Sequence, residues 1–121
     1  IMPSGPIYPD RRVFVSKNWG WEDWIYQGKY CGKVMFIKAG KQTSYHYHNK
    51  KDEVIYVQSG MIDMIHGKDD DESKAKKHLM NTQDAFRIKP GLRHRILAIT
   101  DAYLFETSSP HEDDDIIRVK P

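Results

Sequence analysis

Apolar and polar residues alternate along this chain in short runs, and no run carries the 3.6-residue period of an amphipathic helix. Segments rich in β-branched and aromatic residues read as strands: Arg12 to Val15, Trp19 to Gln27, Lys33 to Ile37, Thr43 to His48, Glu53 to Gln58 and Met61 to His66. His78 to Met80, Ala85 to Ile88, Arg93 to Ile99, Tyr103 to Thr107 and Ile116 to Val119 continue the series. Gly28, Gly40, Asn49, Gly60, Gly67, Pro90-Gly91 and Asp101 punctuate them as turns. Many short strands at close spacing predict an all-β sandwich or barrel. Val54-Ile55-Tyr56-Val57 is apolar on both faces, which predicts a strand covered on two sides, by a second layer or by a subunit interface. Trp19, Trp21 and Trp24 lie in one stretch, on both parities, and either fill the core, cover its edge or meet a second subunit. Lys68 to Lys77 is too charged for a buried strand and predicts an exposed hairpin tip or mobile loop with at most a brief helical turn.

A chain of 121 residues is expected to form one domain, residues 1–121, around one core. A hydrophobic content of 39% and a mean hydropathy of −0.72 describe a soluble protein, and no apolar run approaches the ~20 residues of a membrane span. The N-terminus lacks the charged-then-apolar layout of a signal peptide, and Ile1-Met2 reads as a leftover ahead of the native start. Cys31 is the sole cysteine, so no internal disulfide forms, which fits a cytoplasmic protein; it reads as a small strand residue. The net charge of +2, without a basic stripe, argues against a nucleic-acid partner.

The chemistry concentrates in His46, His48, Glu53 and His94. Side chains alternate faces along a strand, so His46 and His48 point the same way. Glu53 follows at a distance that allows a tight turn into a second strand, and Pro90-Gly91 supplies a bend that swings His94 inward. Three imidazoles and a carboxylate suit one divalent transition metal, Zn, Mn, Ni, Co or Fe, with room left for water or substrate. Gln42 and Ser44 share the parity of His46 and become candidate hydrogen-bond donors to substrate, provided no bulge intervenes. Lys38, Arg87 and Arg95 are candidate partners for a phosphate, each with the plainer alternative of a solvated strand residue. Tyr45 and Tyr47 face away from the histidines and are expected to pack against a second layer. The acidic run from His111 to Asp115 reads as a solvated connection, and His66 and His78 flank the charged loop outside the metal set.

These residues carry a resemblance to the cupin superfamily. Its first motif, Gly-x5-His-x-His-x4-Glu-x6-Gly, is matched at every position by Gly40, His46, His48, Glu53 and Gly60. Its second, Gly-x5-Pro-x-Gly-x2-His-x3-Asn, is matched by Gly91 and His94, while Gln83, Lys89 and Ala98 depart from it. The resemblance implies an antiparallel jelly-roll β-barrel (a double-stranded β-helix) with a core at about residues 33–107. N-terminal strands at 11–27 and a C-terminal strand at 116–119 would flank it. It also implies a metal held inside by His46, His48, Glu53 and His94, a small-molecule ligand, and a homodimer; a cupin that binds an organic ligand without metal is the alternative.

A second resemblance, to the isomerase domain of bifunctional mannose-6-phosphate isomerases, rests on three features. They are Trp19-Gly20-Trp21-Glu22, Phe105-Glu106-Thr107-Ser108-Ser109, and Glu112-Asp113-Asp114-Asp115-Ile116-Ile117-Arg118. That family carries Gln where His46 stands, Arg where Lys51 stands and His where Val54 stands. The resemblance implies aldose–ketose isomerisation of a sugar or sugar phosphate, with a general base that the sequence does not name. An Fe(II)-dependent dioxygenase and a non-enzymatic sugar-binding or sensing module are the alternatives.

Overall fold

The structure, a computed structural model, describes residues 4–121; Ile1 and Met2 lie outside them. Its strands are β1 (Val13–Lys17), β2 (Gly20–Gln27), β3 (Cys31–Ile37), β4 (Tyr45–His48), β5 (Glu53–Ser59) and β6 (Ile62–Gly67). They continue with β7 (Lys76–Met80), β8 (Ala85–Ile88), β9 (Arg93–Ala98), β10 (Ala102–Ser108) and β11 (Ile116–Lys120). Every segment expected to be extended is a strand, with ends displaced by a residue or two. The charged 68–77 segment divides: Glu72–Lys74 form a single 3-10 turn capped by the Asp71 side chain, and Lys76 already belongs to β7. Lys76 pairs with His66 and Lys77 with Ile65, so ladder hydrogen bonds make a strand of residues whose side chains stay in water. Among the described residues no helix is long and apolar enough to cross a membrane.

The strands form two antiparallel sheets, ordered β1-β2-β3-β10-β5-β8 and β11-β4-β9-β6-β7, the layout of a jelly roll. Period-two burial runs along β3 and β10, with inner residues buried and outer ones half-buried or exposed. Register then stacks the inner residues in rows across β3, β10 and β5. Met35, Leu104 and Val57 form one row, Lys33, Glu106 and Ile55 the next, and Cys31, Ser108 and Glu53 the last. The apolar end joins Ile62, Met64 and Ile96 of the facing sheet in one hydrophobic core. Within two rows the lining changes from hydrocarbon to charge, and there the sheets enclose a cavity instead of a packed interior.

The tryptophans divide their work. Trp19 is buried in the core, Trp21 lies on the outer sheet face against Phe14, Phe36 and Tyr103, and Trp24 lines the cavity. Gly60 closes the β5–β6 turn with φ of 95°, and a Cβ there would sit 2.3 Å from the Asp101 carbonyl oxygen. Gly40 has φ of 80° but open space around it. Gly60→Ala is therefore expected to cost roughly 2–4 kcal/mol, from strain and clash together, and Gly40→Ala about 1 kcal/mol from strain alone. Urea unfolding of the two variants checks the order; equal midpoints would contradict the close approach at Gly60.

Candidate functional site

The β4–β9 pairing sets His46 directly opposite His94, and strand parity places His48 on the same inner face of β4. The Pro90-Gly91 bend leads into β9: Gly91 adopts φ of 86° and its N–H donates to the His48 carbonyl at 2.7 Å. One nitrogen from each of the three imidazoles lies within 4.8 Å of the others. Each Nδ1 faces a backbone carbonyl: His46 to Ser44 O at 2.8 Å, His48 to Asp115 O and His94 to Leu92 O at 3.0 Å. A carbonyl only accepts, so Nδ1 carries the proton in all three rings and Nε2 is left as a free lone pair. Burial holds the rings neutral, pushing His48 and His94 down to about 4 and His46 well below its usual value. Neutral imidazoles fixed in one tautomer by backbone oxygens are the form in which histidine ligates a metal.

Glu53 stands beside this group. Its Oε2 is 3.5 Å from His48 Nε2, fully buried, and has no hydrogen-bond partner among the described residues. Burial, then the neighbouring Glu106 carboxylate, raises the Glu53 pKa. The structure thus brings the three histidines into one tight set and leaves Glu53 just outside it. An orphaned buried carboxylate oxygen next to three lone pairs fits a cation in this space.

The surrounding cavity holds about 570 Å³, ample for a monosaccharide-sized ligand. Ser44 lines it and its Oγ is 3.0 Å from His46 Nδ1; Gln42 also lines it from the short bridge to Leu97. The basic residues expected to meet a phosphate lie elsewhere. Lys38 is exposed beyond the end of β3, and Arg87 is on the outer side of β8, paired with Asp52 at 2.7 Å. Arg95 follows inward-facing His94 by one residue, so it points out through the back of the sheet. There it donates to Thr43 O, to the Glu72 carboxylate and to Pro121 O. Tyr45 and Tyr47 do face away from the histidines, but they lie under Arg95 and Arg93 of the neighbouring strand in the same sheet and not against the second layer.

Three buried charged residues of the cavity were not among the site residues expected from the sequence: Lys33, Lys51 and Glu106. Lys51 Nζ lies 2.7 Å from Glu106 Oε2. Burial alone would raise the Glu106 pKa, but the Lys51 and Lys33 ammonium groups outweigh it and hold the carboxyl ionised. Burial alone would lower Lys51, and Glu106 with Glu53 reverses that. The missed signal is parity: Lys33 shares the inner face with Met35 and Ile37, as Glu106 does with Leu104. His66 and His78 lie apart from this site, hydrogen-bonded to each other at 2.7 Å and packed on Phe86.

The acidic run from His111 to Asp115 is only partly a solvated connection. Asp113 and Asp114 are exposed, but His111 lines the cavity against Trp24, and Asp115 is buried. The Asp115 carboxylate accepts the N–H groups of Asn49, Lys50 and Lys51 at 2.9 to 3.1 Å, while its carbonyl orients His48. One residue therefore caps the turn between the histidine strand and Lys51. Burial alone would raise the Asp115 pKa, and the three backbone donors bring it below the ordinary carboxylate value. With the folded value depressed, its stabilisation is full above the ordinary, unfolded-state value and is lost as pH falls from there through the folded one. Asp115→Ala is expected to cost roughly 2–3 kcal/mol at neutral pH and to flatten the acid limb of the stability–pH curve. Thermal melts from pH 7 down to 3 check this; parallel curves for the two proteins would contradict it.

Comparison with known proteins agrees with this geometry. Residues 33–108 match the family model described as the cupin domain. No curated protein matches the chain. Among solved structures, the capsular polysaccharide assembling protein CapF from Staphylococcus aureus superposes with a TM-score of 0.79 at 18% identity, covering 94% of this chain and 32% of CapF. The chain thus spans about a third of that protein. KdgF from Halomonas sp. gives a TM-score of 0.75 at 16% identity, covering 93% of this chain and 98% of KdgF. Oxalate decarboxylase from Bacillus subtilis gives 0.78 at 14% identity, over 91% of this chain and 30% of that one. At these identities the superpositions speak for the fold alone. The family match, the two-sheet jelly roll and the inward histidines converge: the chain belongs to the cupin superfamily.

Proposed function

We propose that this cupin is a single-domain, metal-dependent enzyme acting on a sugar or sugar phosphate, by aldose–ketose isomerisation. The observation that carries the reading is the convergence of three neutral, tautomer-fixed Nε2 atoms in a cavity with buried acid and base groups. His46, His48 and His94 would hold one divalent transition metal, with Glu53 as a fourth donor. Such an ion would supply Lewis-acid stabilisation of the negative charge that develops on the substrate's oxygens. The chain itself would supply the proton transfer. Glu106 is the carboxylate kept ionised, by Lys51 and Lys33, and as general base it would take the proton from C2 of an aldose and return it at C1, while the O2 hydroxyl proton passes to O1. Ser44 and Gln42 would bind substrate hydroxyls, and the Trp24 and Trp19 rings would exclude water from one wall. The capsular polysaccharide assembly named for CapF supports a carbohydrate substrate.

Protein purified without added metal is expected to contain close to one equivalent of a divalent transition metal by elemental analysis. His94→Ala should lose it. Metal-loaded protein is expected to interconvert an aldose and a ketose in a panel that includes mannose 6-phosphate, fructose 6-phosphate and free aldoses. Glu106→Gln should reduce that rate roughly 10²–10⁴-fold while keeping the metal. Absence of product with every metal tried would overturn the isomerase assignment.

The same proposal includes a homodimer in the cytoplasm, a setting compatible with buried, unpaired Cys31. Support for the dimer comes from the outer face of the six-stranded sheet. Phe14 and Tyr103 are exposed there, clustered with Trp21 and Phe36 at ring distances of 5.0 to 6.1 Å, and Phe105 is exposed on the same strand face as Tyr103. An apolar surface of this kind is usually covered. Sedimentation should give the mass of two 14.2 kDa chains, and Phe14→Asp with Tyr103→Asp should give one; an unmutated monomer at micromolar concentration would refute it.

A further inference from the structure

We propose that Lys33 is the anion-binding residue of the cavity, and that the ligand of the histidine site carries a carboxylate or phosphate group. The inference rests on the metal-dependent reading above and assigns it a substrate class. Lys33 is only 5% exposed, yet it lines the cavity. Its ammonium makes no hydrogen bond among the described residues. The one carboxylate within ion-pair reach is Glu22, at 3.9 Å, and that oxygen already accepts from Trp24 Nε1 at 2.8 Å. The remaining contact is the Trp24 ring, 4.8 Å from Nζ to centroid. Lys51, equally buried, spends its charge on Glu106 at 2.7 Å.

An ammonium largely withdrawn from water with its donors unspent is costly in isolation and becomes favourable when an anion reaches it. The cation–π contact offsets part of that cost but supplies no acceptor. Lys33 and Glu106 are cross-strand neighbours on the inner sheet face, so an anion on Lys33 would lie beside the proposed base and in the same cavity as the histidines. Four lysine or arginine side chains and four carboxylates line this cavity, so a bound divalent cation tips it positive. The more exposed Lys17 and Arg118 line it as well and favour entry of an anion. The expected basic partners, Lys38, Arg87 and Arg95, all lie outside the cavity lining, which leaves Lys33 as the buried lysine there with donors to spare.

Calorimetric titration of the metal-loaded protein with D-glucose, D-glucose 6-phosphate and D-glucuronate tests this. At least one anionic sugar is expected to bind about tenfold or more tightly than glucose. Lys33→Met should abolish that preference while leaving metal content and glucose affinity unchanged. Whichever anion gains shows whether phosphate or carboxylate is the preferred group. Glu22→Gln, which keeps the acceptor for Trp24 Nε1 but removes the competing charge, should tighten anion binding. No preference for either anion in the unmutated protein, or a preference retained in Lys33→Met, overturns the proposal. Should Lys33→Met fail to give a cooperative melt, the Glu22→Gln result decides: unchanged or weaker anion binding is then fatal. Inorganic phosphate titrated into chelator-stripped protein separates the two readings. Lysine-dependent phosphate binding upholds Lys33 even if the protein proves to carry no metal, whereas binding indifferent to Lys33 refutes it.

Discussion

The site depends on one thin seam. β4 and β9 share a single paired position, His46 opposite His94, and between that pair and the Gln42–Leu97 bridge the strands are irregular. Side chains complete what the ladder leaves out. The Thr43 hydroxyl accepts the Ile96 N–H at 3.0 Å, and Arg95 Nε donates to the Thr43 carbonyl at 2.9 Å. On the back face, Arg93 lies over the Tyr47 ring at 3.5 Å and Arg95 over Tyr45 at 5.9 Å, so guanidinium–ring contacts clamp the same two strands. If this seam slipped by one residue, every side chain would change face and the histidines would point to the back.

Across the cavity the six-stranded sheet sets the chemistry. A row of Lys33, Glu106 and Ile55 follows directly on a row of Met35, Leu104 and Val57. The apolar rows provide packing; the charged row adds little to stability, because ion pairs removed from water roughly balance their desolvation. Buried charges of this kind are the groups that proton transfer and anion binding require. Glu53 sits where the two functions meet, adjacent to His48 on one side and to Glu106 on the other.

The turn after β4 links the halves. Asp115, from the segment leading into β11, gathers three successive N–H groups of that turn and orients His48 through its own carbonyl. The position of Lys51, and through it the charge on Glu106, is thereby tied to a residue more than sixty positions away in the chain. Geometry of the metal side and electrostatics of the proton-transfer side share one support.

The local pattern was enough to place the strands, because alternation of apolar and polar residues has one structural solution when turn residues interrupt it. It was also enough to set His46 and His48 on one face and to place Gly60 at a turn. The gathering of His94 with them followed from motif spacing and needed the β4–β9 register to become geometry. What local pattern could not provide was the destination of each charge. Arg95 and Lys33 are both basic residues on strands, yet one points out through the sheet to bind carbonyl oxygens and the other points into the cavity. Glu106 gained its surroundings from Lys51 and Lys33, on a turn and a strand distant in sequence. Whether a charged strand residue is solvated, structural or chemical depends on what the opposing sheet brings to its face, and that is settled only when the two sheets close.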